Sequence, residues 1–452
     1  MDIEKTTTKC EAAVKRHEAV IAPCNLLKYF PLVIDRYDGA TITDIDGNEY
    51  IDFLSSAGSM DLGGGNEKLL ETAETQMRRC MQYSMVYVYN NPAIELAERL
   101  ASVFPGKGPA KVCYGNCGAD ANDAAMKFAR AYTGRPGIIT FINGYHGCSY
   151  GALSMSTVTS RMKKGLGPLL PEIYHFPFSN CAHCAFGKDR DSCDAECLSQ
   201  LEDALETYLP PEEMAAVIIE PIQGDGGLIP AHPLFMKKLY ELCRANGILF
   251  ISEEVQQGFG RCGKWFAIEN YDGIEPDGVV MGKSIGGGFS LGAFMARSEI
   301  IDTLPAPAHL FTMGGNPMAC AGGAASFDII AADGFLDEVT RKGEYIKRGF
   351  EELKKKYDII GDIRGMGLSI GVEIVKENSN EPDPKATSKI CWRCYERGLV
   401  MIQFAGFVLR VQPPLIISYD QIDKAMGIID RSIDDFVNGR IPDSVLEKCR
   451  GW

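Results

Sequence analysis

Two acids, Glu253 and Glu254, follow the apolar run Ile248–Ile251 and Ser252, and precede Val255-Gln256-Gln257-Gly258-Phe259-Gly260-Arg261. A carboxylate at the end of a buried strand can hold a pyridinium nitrogen protonated and make the ring an electron sink. The plainer reading is a solvated charge pair, and Glu254 alone could be that. Lys283 ends a second apolar run, Gly278-Val279-Val280-Met281-Gly282, and is followed by Ser284 and Gly286-Gly287-Gly288. The segment looks like a phosphate-binding loop, but a P-loop needs four residues between its first glycine and the Gly-Lys pair, and here Val279-Val280-Met281 is one short. A lysine desolvated at a strand end can instead form a Schiff base with a carbonyl cofactor, the alternative being an exposed loop lysine. Tyr114-Gly115-Asn116-Cys117-Gly118-Ala119-Asp120 opens a helix after a third run. Small residues there let a phosphate approach free backbone N–H groups, although tight turns use glycine equally often. Finally, Cys181-x2-Cys184-x8-Cys193-x3-Cys197, with His183 inside it, offers four thiols on one short loop. They could bind zinc or an iron–sulfur cluster, but the eight-residue gap is short for a zinc finger, so reduced thiols or a local disulfide is the simpler expectation.

Elements must bring these residues together. Short apolar runs at Lys111–Tyr114, Gly137–Phe141, Glu172–Phe176, Ala216–Ile219, Ile248–Ile251, Gly278–Met281 and Leu291–Ala296 alternate with helical segments. Strands buried on both faces and connected by helices imply a mainly parallel sheet of seven strands. Leu234–Asn246 places Phe235, Leu239, Leu242 and Cys243 at helical spacing before Gly247 and reads as a crossover helix. Leu32–Ile34, Ala40–Asp44 and Glu49–Phe53, separated by Asp38-Gly39 and Asp46-Gly47, read as an antiparallel meander. Past Ala331 come an amphipathic helix at Leu336–Lys355, strands around Leu368–Val375 and Leu399–Pro413, and a helix near Gln421–Phe436. The fold class is therefore α/β: residues 63–330 form a large domain carrying a Cys-rich insert at 178–200, and 331–452 a smaller α+β domain that residues 1–62 join.

The chain has 452 residues, 46% hydrophobic and 23% charged, which disfavours disorder and suits a large core with a satellite. A net charge of −14 excludes a broad basic surface, so nucleic acid is a poor candidate partner. Met1 to Phe30 carries no apolar stretch ahead of a cleavage site, and nowhere do about 18 apolar residues run together, so neither secretion nor membrane insertion is expected. Sixteen cysteines fit free thiols in a reducing cytoplasm.

Taken in order, Glu220-Pro221, Glu253-Glu254-Val255-Gln256, Gly258-Phe259-Gly260-Arg261, Pro276-Asp277, Gly282-Lys283-Ser284 and Thr312-Met313-Gly314-Gly315-Asn316-Pro317 resemble the class III aminotransferases over about residues 25 to 435. The resemblance implies fold type I and pyridoxal 5'-phosphate. It implies Lys283 as the Schiff-base lysine, Glu253 at the pyridine nitrogen, and Tyr145 stacked on the ring, with His146 beside it in Gly144-Tyr145-His146-Gly147 and Val255 on the opposite face. Gln256 matches the residue near the ring hydroxyl, Gly118 and Ala119 the phosphate loop, and Thr312 a phosphate ligand reaching the neighbouring active site of a homodimer or dimer of dimers. The family usually has Asp where this chain has Glu253.

The family includes aminotransferases and amino-acid racemases or epimerases. Both begin by removing the substrate Cα proton, but racemisation must return it from the other face, which calls for a second acid or base. In Glu220-Pro221-Ile222-Gln223-Gly224-Asp225-Gly226-Gly227 this chain has Asp225 where the aminotransferases commonly carry Glu, and resembles the racemase branch in that respect. The likeness extends to Ala306-Pro307-Ala308-His309-Leu310-Phe311-Thr312, Gln412-Pro413-Pro414-Leu415 and the terminal Gly451-Trp452. The expected catalytic pair is Lys283 and Asp225, acting on free amino acids, aliphatic or of a broader range, without a metal. An aminotransferase is the alternative.

Overall fold

The computed structural model describes residues 6–449 and 451. Residues 1–5, part of the stretch read for a leader, and Trp452 lie outside them. The chain divides into two compact units, Glu67–Leu336 and Met1–Asn66 with Asp337–Trp452.

The unit Glu67–Leu336 is built on a seven-stranded sheet in the order Ala110–Gly115, Gly292–Arg297, Gly278–Met281, Leu249–Glu253, Met214–Ile219, Gly137–Phe141, Ile173–Phe176. All seven apolar runs are therefore strands of one sheet. Gly292–Arg297 pairs antiparallel with both neighbours, and the remaining pairs are parallel. Met214–Ile219 and Leu249–Glu253 are buried at every position, as apolar strands covered on both faces must be. The helix Gly118–Thr133 packs Ala121, Ala124, Ala125, Phe128 and Ala129 onto this sheet, where Phe128 stacks on Phe294 at 5.9 Å. It stops at Gly134, whose φ of 69° is the left-handed cap that glycine adopts without strain. The crossover helix spans Pro233–Asn246 and stops at Gly247 in the same way.

Parallel strands finish on one edge of a sheet, and loops leaving that edge are where an open α/β sheet offers a site. Gly118, Tyr145, Glu220, Glu253 and Lys283 each follow or end a different strand on this carboxyl edge. The opposite edge is held by Asp277. Its Oδ2 accepts from the Phe250 N–H at 2.8 Å, and its Oδ1 pairs with Arg244 at 3.1 Å and Arg297 at 3.0 Å.

In the other unit, the meander Ile34–Asp38, Thr41–Asp44 and Glu49–Asp52 is extended by Leu399–Val400, which runs parallel to Glu49–Asp52. The first strand starts where Leu32–Ile34 was expected to end, and its register shifts between Ile34 and Arg36. A second sheet orders Ile360–Met366, Ser369–Ile374, Val408–Val411 and Gln403–Phe404. Helices Thr8–Val20, Pro384–Glu396 and Tyr419–Val437 complete the unit with most of Phe335–Lys356. Tyr395 stacks between Phe30 and Tyr50, at 4.7 and 5.3 Å. Among the described residues no single helix is long and apolar enough to cross a membrane.

Removing one partner of a buried ion pair leaves uncompensated charge. Asp277 is 1% exposed, so Asp277→Ala is expected to lower stability by about 3 kcal/mol in chemical denaturation. Arg244→Ala, on the exposed side of the pair, should cost about 1 kcal/mol or less.

Candidate active site

The helix Gly118–Thr133 begins without a side-chain cap on its first N–H groups, which leaves them for an anion. Gly118 is required by close approach: a Cβ there would stand 2.6 Å from Val255 Cγ1. A Cβ on Gly282 would come within 3.1 Å of both Gly118 Cα and that same Val255 atom. The backbones of Gly118 and Gly282 thus meet each other and the side chain of Val255.

Lys283 is half-buried and has φ of 50°, a conformation costly for a residue with a Cβ. The loop is held against the helix Pro317–Ile330, whose Gly322 and Gly323 remove the side chains that would intrude. A Cβ on Gly323 would lie 2.2 Å from the Ile285 carbonyl oxygen, and one on Gly287 2.6 Å from that of Gly322.

Glu253 is buried at the end of its strand, and its Oε1 accepts from Asn122 Nδ2 at 3.2 Å. Burial first, then the charge of Glu220, raise its pKa well above the ordinary carboxyl value. Glu220 is also buried, and its pKa is pushed up to about 8 by burial, opposed by two backbone N–H bonds and by the ammonium of Lys283. Glu254 is not a solvated charge. It is buried, accepts from the N–H groups of Ala267 and Ile268 and from Ser252 Oγ, and so anchors the next turn.

Asp225 is buried in the loop after Glu220, and its Oδ1 accepts from Gln256 Nε2 at 3.1 Å. Gln257 Nε2 donates to Gln256 Oε1 at 3.3 Å, which fixes that amide's orientation. Gly224 packs against the Gln256 amide, where a Cβ would stand 2.4 Å from Oε1 and push that amide aside. Tyr145 is half-buried, with its backbone N–H on Glu220 Oε2. His146 is buried behind it. Its Nε2 meets Thr140 Oγ1 at 2.9 Å, and burial pulls its pKa down to about 3, so the imidazole is neutral. Thr312 stands outside this buried cluster on an exposed loop, where its carbonyl accepts from Gln82 Nε2.

Asn122 escaped the sequence reading. Its Nδ2 lies within bonding distance of the Gly118 and His146 carbonyls as well as Glu253, yet its Oδ1 has no partner although fully buried. The available signal was a polar residue at a core position of an alanine-rich helix. Cys181, Cys184, Cys193 and Cys197 line one cavity of about 260 Å³ with His183 and His232. None of the four is in a disulfide, and among the described residues no group of three or more His, Cys, Asp or Glu is arranged to hold a metal ion.

Residues 25–433 match the family model for class III aminotransferases, and the chain belongs to that family. It is 40% identical over 416 residues to isoleucine 2-epimerase of Lentilactobacillus buchneri, covering 92% of each protein. It is 36% identical to leucine/methionine racemase of Thermococcus litoralis, over 98% of this chain and 99% of the relative. Aminotransferases also match over most of the chain. A PLP-bound amine transaminase from an uncultivated Pseudomonas species superposes with a TM-score of 0.84 at 27% identity, over 92% of this chain and 96% of that one.

The chain is thus a pyridoxal-phosphate-dependent enzyme of fold type I. Its residues fit the cofactor. The uncapped helix start and the glycine at 118 offer an anion cradle, and Asn122, whose Oδ1 is buried without a partner, donates through Nδ2 to the buried acid Glu253.

Glu220 and Glu253 keep protons in the folded chain that they release near pH 4.5 when unfolded. Folding then takes up protons above that pH, and the pair's contribution to stability is lost as pH rises towards 8 and beyond. Glu253→Gln removes one titrating acid and relieves the other. In the cofactor-free protein, its denaturation midpoint should gain on wild type between pH 5 and 8; a difference that stays flat or shrinks would contradict the shared burial.

Proposed function

We propose that the chain is an amino-acid racemase or epimerase that inverts Cα of free aliphatic amino acids, with Lys283 and Asp225 as its two bases. The observation carrying this reading is the buried Asp225 carboxylate, oriented by Gln256 on the same sheet edge as Lys283. The names of the relatives, which act on isoleucine, leucine and methionine, support the aliphatic class. An apolar pocket separates side chains differing by one methylene only weakly, so a range of substrates follows.

When bound, pyridoxal phosphate supplies an electron-withdrawing ring that acidifies the Cα–H of an amino acid joined to it. Lys283 would hold the cofactor through its amine and, in turnover, would carry the Cα proton on one face. Asp225 removes or returns it on the other. Glu253 would keep a proton at the ring nitrogen, and Tyr145 and Val255 would enclose the ring. The N–H groups of Gly118 and Ala119 would bind the phosphate, Gln256, which orients Asp225, would lie near the ring hydroxyl, and His146 would stand beside Tyr145. A class III aminotransferase would use the same binding residues with Lys283 as the only proton carrier, and the aminotransferases among the relatives favour this second reading.

The active form is a homodimer, or a dimer of dimers, in which Thr312 completes the neighbouring site. Tyr87 and Tyr89 are 82% and 97% exposed, Met81, Tyr83 and Met313 are also exposed, and Gln82 ties this apolar segment to the Thr312 loop. An apolar surface of that kind marks an interface. Sixteen cysteines in the sequence support a reducing cytoplasm as its location.

Incubation with single L-amino acids and no keto acid should yield the D-enantiomer, measured by chiral chromatography. Lys283→Ala should lose the cofactor linkage and its visible absorbance while remaining folded. Asp225→Asn keeps an acceptor for Gln256 but exchanges no proton. Its racemisation should fall by about 10²–10⁴-fold, while deuterium exchange at Cα of one enantiomer persists through Lys283. Equal loss of exchange from both enantiomers, or undiminished racemisation, would refute the two-base reading.

A further inference from the structure

Glu220 is the buried acid to which the proposed reaction gives no task. It follows Met214–Ile219, the strand between Gly137–Phe141 and Leu249–Glu253, so its side chain starts between two loops of the carboxyl edge. Its backbone is fixed from behind. Pro221 restricts it to an extended conformation, and the Pro221 carbonyl accepts from Tyr271 Oη at 2.9 Å and from the Ala231 N–H at 3.0 Å. The carboxylate then divides its oxygens: Oε2 receives the Tyr145 N–H and Oε1 the Gly224 N–H, each at 3.0 Å.

We propose that Glu220 is a positioning residue, a strut that fixes the distance between the loop carrying Tyr145 and the loop carrying Asp225. The proposal rests on the racemase reading for its kinetic consequence, but not for its structural one. Asp225 follows Gly224 directly, so the strut sets the backbone of the second base while Gln256 sets its carboxylate. Inversion needs two groups within proton-transfer reach of one carbon from opposite faces, and a misplacement of about 1 Å can cost about 100-fold. A proton carrier on one face alone would not depend on this spacing. Burial favours the neutral acid, and the two N–H donors together with the nearby Lys283 oppose that tendency, so the strut and the charge balance of the site meet in one side chain.

Two holoenzyme variants test this. Glu220→Gln keeps the length but turns a donor towards one of the two N–H groups. Glu220→Asp keeps the charge near Lys283 but is one methylene too short to span both loops. In both, the ratio of Cα-deuterium exchange rates between the two enantiomers should change by about tenfold or more, because only the Asp225 face loses its alignment. The visible circular dichroism of the bound cofactor should also change as the Tyr145 loop moves. If both variants keep the wild-type exchange ratio and cofactor dichroism, or lose exchange equally from the two enantiomers, the strut is overturned. Should the wild type fail to racemise, the functional reading falls while the dichroism of the variants still decides the strut.

Discussion

Two carboxyl groups, those of Glu220 and Glu253, are buried within electrostatic reach of each other at the carboxyl edge of one sheet. Both cannot ionise there unless positive charge is supplied. The site is organised around that requirement. Lys283 supplies one cation, Asn122 and two backbone N–H groups supply donors, and a ring nitrogen at Glu253 would supply the other positive partner. His146 adds no charge, because burial keeps it neutral. The folded chain without cofactor thus keeps these acids protonated, and a cationic heterocycle beside Glu253 would favour its ionised form.

Holding that cluster requires a rigid frame, and the frame is made of close contacts at glycines. Gly118 packs against the Val255 side chain, Gly224 against the Gln256 amide and Gly323 against the Ile285 carbonyl. These contacts join the loops carrying Gly118, Asp225 and Lys283 to the sheet or to one another. The left-handed Lys283 is tolerable in that setting because the surrounding backbone leaves it little alternative.

Legibility in the sequence followed burial. The seven strands stood out because strands covered on both faces must be apolar throughout, and helix ends at Gly134 and Gly247 because few other residues adopt that conformation cheaply. Thr8–Val20 stayed hidden: it buries only Cys10, so it carries almost no apolar stripe. The stretch Leu399–Pro413 divides into three short strands because the chain reverses at Ala405-Gly406, both at positive φ, a turn that its apolar flanks obscure. Within the site, Glu253 and Lys283 were visible as charges ending apolar runs. Asn122 and the bridging use of Glu220 were not, since each depends on what a neighbouring strand brings alongside.

The same geometry explains how one scaffold can serve either outcome of Cα deprotonation. Lys283, Glu253 and the phosphate cradle belong to strand ends and a helix start fixed by the sheet, so their arrangement changes little with the residue at position 225. Asp225 sits instead on a glycine-rich loop, reached through Glu220 on one side and Gln256 on the other. Asp225 accepts from Gln256 Nε2, so a longer acid at this position would have to shift the loop or place its carboxyl group elsewhere. On the two-base reading, the difference between moving a proton on one face and on two would then turn on the side chain at this one position.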